Sequence, residues 1–110
     1  MLQYLNNMKL KDILIEGKAF DEFAETRMKG AEKIADNAKE KGGPSMLTYH
    51  HFKVKLPYYE KASKGDFDFE AAKKEFKETL SKISLEMDQT TFQREVGRLE
   101  VLGELIIKND

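Results

Sequence analysis

Cysteine and tryptophan are absent from the 110 residues, and proline occurs only twice, at Pro44 and Pro57. Without cysteine there are no disulfides, no thiolate zinc sites and no cysteine nucleophile, and nothing places the chain outside a reducing cytoplasm. An excess of charge of either sign is also missing. Lys and Arg total 19 and Asp and Glu total 20, for a formal net charge of −1. Residues 1–42 hold eight of each sign, so neither half is a charged tail. No overall field draws nucleic acid or anionic lipid to the surface, and any such binding has to be local. Long apolar runs are lacking too. None exceeds four residues, far short of the ~20 that cross a bilayer, and the first residues lack the apolar core of a secretory signal. One domain of this length buries roughly two thirds of its unfolded surface, enough for a core without metal or disulfide staples.

What is present is helical spacing, with few of the alternating β-branched stretches that mark strands. Met8 to Glu16 (MKLKDILIE) puts Leu10, Ile13 and Leu14 on one face of a short helix stopped by Gly17, with Met1 to Asn7 as an arm ahead of it. From Ala19 to Lys41, Phe20, Phe23, Ala24, Met28, Ala31, Ile34, Ala35 and Ala38 form one stripe of a long helix. Gly42 supplies its left-handed stop. The narrowing of that stripe to alanines prepares a close approach by a partner helix, from this chain or another. Gly42, Gly43 and Pro44 form the flexible joint. Ser45 or Thr48 then caps a helix to about Lys55, with Leu47, Phe52, Val54 and Leu56 as candidate core. Pro57 opens the next helix, through Ala62. Asp68 caps a helix from Phe69 to about Met87, with Phe69, Ala72, Phe76, Leu80, Ile83 and Met87 on one face and Glu70–Lys74 and Glu78–Lys82 as supporting pairs. Thr90 and Gln93 form a capping box for a last helix bearing Phe92, Val96, Leu99 and Leu102. Past Gly103, residues Leu105, Ile106 and Ile107 read equally as another helical turn or a short strand. The predicted fold is all-α, a bundle of about four to five helices with one long N-terminal helix. Residues 1–42 form the arm and long helix, and 43–110 a compact helical module within one folding unit.

Chemistry-bearing patterns are sparse. His50 and His51 are adjacent, so on a helix they point to different sides and do not chelate one metal as an i, i+4 pair does. Asp66, Asp68 and Glu70 alternate as in a calcium loop but lack its sixth-position glycine and distal glutamate. The glycine-rich stretch Lys41 to Pro44 is not a phosphate loop, and no serine, threonine or lysine sits in a nucleophile context. A non-enzymatic protein with no cofactor and no metal is the expectation. The most aromatic and basic neighbourhood is Tyr49, His50, His51, Lys53, Lys55, Tyr58 and Tyr59, residue types enriched at protein interfaces. It is the candidate partner surface, unless the tyrosines only cover the edge of a small core with their hydroxyls in water.

The order MKLKDILIEGKAF, a helix, then GGPSMLTYHHFKVKLPYYEKA resembles small proteins of tailed marine phages with contractile tails, cyanophages among them. Within it, Leu14, Ile15, Glu16 and Gly17 are similar to the site at which prohead proteases of such phages cut internal head proteins. The resemblance implies that residues 8–16 are a removable capsid-targeting segment. It also implies a protein acting by contacts with itself or with phage or host proteins, in the host cytoplasm or the virion; the short apolar runs and balanced charge leave neither membrane nor nucleic acid as expected partner. The alternative is a small winged-helix DNA-binding regulator, in which Gln93, Arg94, Gly97 and Arg98 face the groove and Glu104 to Lys108 form a strand. Residues 90–110 hold three basic and four acidic groups, a balance that speaks against a recognition helix.

Overall fold

The computed structural model describes the backbone of residues 2–109 and, for side chains, residues 19–109. Five α-helices follow in order: α1 (Leu2–Lys41), α2 (Met46–Lys53), α3 (Leu56–Ser63), α4 (Phe69–Lys82) and α5 (Gln89–Asn109). A 3-10 turn at Gly43–Ser45 leads into α2. Every regular element among the described residues is helical, so the fold is all-α. Among those residues no helix is long and apolar enough to cross a membrane. The short segment 8–16 and the candidate processing residues Leu14, Glu16 and Gly17 lie outside the residues whose side chains are described.

The alanine stripe of α1 packs within its own chain. Ala24, Ala31, Ala35 and Ala38 are all buried, and α1 lies mainly against α2 and α3. Small side chains let those two short helices come close, as the narrowing stripe predicted. Ala24 and Ala31 share one cluster with Tyr59, Ala62, Val101 and Leu105. Ala35 and Ala38 share a second with Tyr49, and Phe52 packs against both. Residues from either side of the glycine joint thus build the same core. At the joint Gly42 and Gly43 take φ of 66° and 56°, a region closed to most side chains, and the Gly42 amide donates to Ala38 O. Ile34, expected on the inner stripe, is 42 % exposed.

Two boundaries differ from expectation, and a third, left open, is decided. The helix begun at Phe69 ends at Lys82 and not near Met87. Ile83 is extended (ψ 135°), and the Ser84 hydroxyl then accepts from the Glu86 amide in a turn. The last helix opens two residues earlier than a Thr90 cap requires, because Asp88 accepts from both the backbone and the hydroxyl of Thr91. A carboxylate cap also suits the positive helix start better than a hydroxyl does. Finally, α5 does not stop at Gly103. It runs through Leu105, which is fully buried, so Glu104 to Lys108 are helical and the strand required by a winged helix is absent. One glycine in a helix costs about 1 kcal/mol, less than burying a leucine gains. Asp68 does cap α4, accepting from the Ala71 amide. Glu70 is salt-bridged to Lys73 at 3.8 Å and not to Lys74.

Candidate functional site

The aromatic and basic neighbourhood read from the sequence falls on α2, α3 and the turn between them, and the structure divides it into an inner and an outer set. Tyr49, Lys55 and Tyr59 are buried, His50, His51 and Tyr58 are half-buried, and Lys53 is exposed. The tyrosine hydroxyls do not end in water. Tyr59 donates to Glu104 Oε1 at 2.6 Å, Tyr58 donates to Glu75, and Tyr49 accepts from Lys53 Nζ at 2.6 Å. Burial is affordable for such groups because each finds a partner.

The Tyr59 bond is part of a polar seam along α5. Arg27 of α1 reaches both carboxylate oxygens of Glu104, at 3.2 and 2.7 Å, so Glu104 ties α1 and α3 to α5. One turn earlier, Glu100 receives Lys55 Nζ at 3.0 Å and His51 Nε2 at 3.1 Å. His51 Nδ1 is hydrogen-bonded to Gln93 at 3.2 Å. Arg98 donates to both oxygens of Glu95, and its buried Nε has no hydrogen-bond partner, Glu75 being 3.9 Å away. Glu100 and Glu104 were not singled out in the sequence. The available signal was their i, i+4 spacing, since two like charges on one helix face repel unless cations stand opposite.

Of the residues assigned to a DNA groove, Gln93 and Arg98 are engaged inside the chain and Gly97 is buried against α2. An alanine Cβ at Gly97 would lie 2.3 Å from His51 O and 2.7 Å from Val54 Cγ1. The assigned face of α5 is therefore a helix-packing face. Arg94 alone of the four is exposed, and its Nη2 donates to His50 Nδ1 at 3.4 Å.

Two features face outward. One is a half-open cleft of about 210 Å³ lined by Tyr49, His50, Lys53, Val54 and Arg94. A catalytic histidine of the simplest kind needs a cleft and a carboxylate together, and here the two are separated. His51 has Glu100 but does not line this cleft, whereas His50 lines it beside Arg94. The second feature is the tip of the α4–α5 hairpin, where Leu80 is 54 % and Leu85 is 94 % exposed and Ile83 and Met87 are half-buried. No protein-family model matches this chain, and neither a curated protein nor a solved structure is significantly similar to it.

The seam makes stability depend on pH at both ends. Burial works against ionisation of Glu104, but the hydrogen bonds from Arg27 and Tyr59 and the charge of Arg27 together hold its carboxyl below the usual range. Glu100 behaves alike, burial opposed by Lys55 and His51. A lowered folded value contributes stability that is present above the ordinary value of 4.5 and lost as pH falls through the folded one. Burial and the bond to Glu75 push Tyr58 up to about 12, and burial and Glu104 raise Tyr59 as well. A raised folded value contributes stability that is complete below the ordinary value of 10 and lost as pH rises toward the folded one. Thermal midpoints measured across pH should therefore form a plateau that falls below about 4.5 and again above about 10. Glu104→Gln should flatten the acid limb, and an unchanged acid limb would remove Glu104 from this account.

Proposed function

We propose that the protein is a non-enzymatic helical protein that acts by binding protein, either a second copy of itself or a phage or host protein, and that the α4–α5 hairpin tip is the part that docks. The observation that carries this reading is the exposure of Leu80 and Leu85 within eight residues that also hold Ile83 and Met87. Isolated exposed leucines are ordinary, but two open to solvent within eight residues that also hold two half-buried apolar side chains offer apolar surface that a partner would remove from water. The alanine face of α1 and the tyrosines of α2 and α3 are already occupied by this chain's own core, which leaves the tip as the better docking element. The resemblance to small proteins of contractile-tailed phages supports a setting in the host cytoplasm or the virion.

The test is size-exclusion chromatography with light scattering on the wild type and on a Leu80→Ser, Leu85→Ser variant, each alone and mixed with purified phage capsid proteins. The wild type is expected to form a larger species, and the variant to lose it while keeping the same circular dichroism and thermal midpoint. A wild type that stays monomeric in every mixture, or a variant that associates as well as the parent, would overturn the proposal.

A further inference from the structure

The cleft between α2 and the first turns of α5 has two cations among its lining residues. Lys53 and Arg94 both line it with His50, its walls are the Tyr49 ring and Val54, and no carboxylate is among its lining residues. The environment of Arg94 differs from that of the other arginines. Arg27 holds Glu104 at 2.7 Å and Arg98 holds Glu95 at 2.8 Å, whereas the partner of Arg94 is an imidazole nitrogen at 3.4 Å. That single contact uses one of the five guanidinium N–H groups. Lys53 is held in place by Tyr49, donating to its hydroxyl at 2.6 Å with Nζ 5.0 Å from the ring centroid. The hydroxyl accepts that bond and so keeps its own proton to donate. A third cation, Lys39 of α1, stands 5.8 Å from the same ring.

We infer that this cleft is a binding site for a phosphate group. Lys53 and Arg94 line one cleft that no carboxylate lines, and although Arg94 feels the charge of Asp88 at the α5 cap it makes no salt bridge to it, so an anion seated between the two cations would be attracted by both. The donors present suit a tetrahedral oxyanion. The guanidinium fork of Arg94 grips two oxygens side by side, the Lys53 ammonium acts as a point charge, and the Tyr49 hydroxyl supplies a neutral donor. A phosphate carries about two negative charges at neutral pH, which matches the two cations better than a single carboxylate does. The inference does not depend on whether protein docks at the hairpin tip, because no residue is shared between the two.

The full chain labelled with 15N is titrated with inorganic phosphate, with O-phosphoserine and with sodium chloride at matched ionic strength. The amide signals of residues 49–54 and 94 are followed. Saturable shifts with the phosphate compounds and none with chloride are expected. Arg94→Ala and Lys53→Ala, both exposed side chains, should each weaken binding about tenfold, the loss of one charge-assisted contact. Lys74→Ala on α4 should leave it unchanged. Tighter binding of O-phosphoserine would mean that the phosphate arrives on a carrier molecule, and equal or tighter binding of inorganic phosphate would mean that the free ion is held; either supports the site. Shifts that chloride reproduces, or an equal weakening by Lys74→Ala, would show diffuse screening and overturn it.

Discussion

Gly97→Ala is expected to destabilise the protein by about 2 kcal/mol, although alanine is the better helix former. The added methyl would stand 2.3 Å from a backbone carbonyl oxygen of α2, at His51, and 2.7 Å from Val54 Cγ1. A side chain can rotate away from such a contact, but a carbonyl inside a helix moves only with the helix. Since α2 is also fixed against α1 through Tyr49, Ala35 and Ala38, its displacement would loosen a second contact. Overpacking of this kind costs about 3 kcal/mol at the upper end, and the gain of about 1 kcal/mol in helix propensity offsets part of it. Two other helical glycines serve as controls. Gly30 is exposed with nothing within 4 Å of an added Cβ, so Gly30→Ala should stabilise by up to about 1 kcal/mol. At Gly103 the nearest atom is Phe76 Cε2 at 3.5 Å, an ordinary contact, and the substitution should be close to neutral or favourable. Urea midpoints at constant slope measure all three. A Gly97→Ala protein as stable as the wild type would mean that α2 and α5 are not pressed together there.

The second large effect is expected at Glu104. Glu104→Ala should cost about 2 kcal/mol, and most of that should come from Tyr59. The guanidinium of Arg27 is half exposed, so water replaces its lost partner and the ion pair alone contributes little. Tyr59 is 2 % exposed, and its hydroxyl would be left buried without an acceptor. The combination Tyr59→Phe, Glu104→Ala removes that orphaned donor. It should therefore be less destabilised than the sum of the single substitutions, and chemical denaturation of the four proteins of the cycle measures the difference. Strict additivity would show that the hydroxyl finds another partner and that Glu104 acts only as a surface charge.

Much of the architecture was legible locally. The stripe from Phe20 to Ala38, the Gly42–Gly43 joint, Pro57 at the start of a helix and the Asp68 cap each depend on spacing or on one residue's own chemistry, and these need no knowledge of distant neighbours. The errors lie where a local signal competed with a contact remote in sequence. Past Gly103 the local signal left helix and strand equally open, and it is the burial of Leu102 and Leu105 on either side of it that carries the helix onward. Thr90 and Gln93 had the spacing of a capping box, yet Asp88 was the stronger acceptor. The site was less legible still. Arg94, Gly97 and Arg98 lie within five residues and look alike as a helix face, but one points to a cleft, one is crushed against a carbonyl and one is drawn into carboxylates.

By itself, then, the sequence determined an all-α chain without thiol chemistry or a strong net charge, because helical period and composition are properties of neighbours along the chain. The tertiary structure alone decided which tyrosines are core and which basic groups face outward. It also decided that Leu80 and Leu85, near the α4–α5 turn, are open to solvent. Those outcomes depend on which helix lies opposite. Partners such as Arg27, Tyr59 and Glu104 are far apart in sequence and meet only when three helices pack, so no window along the chain contains them.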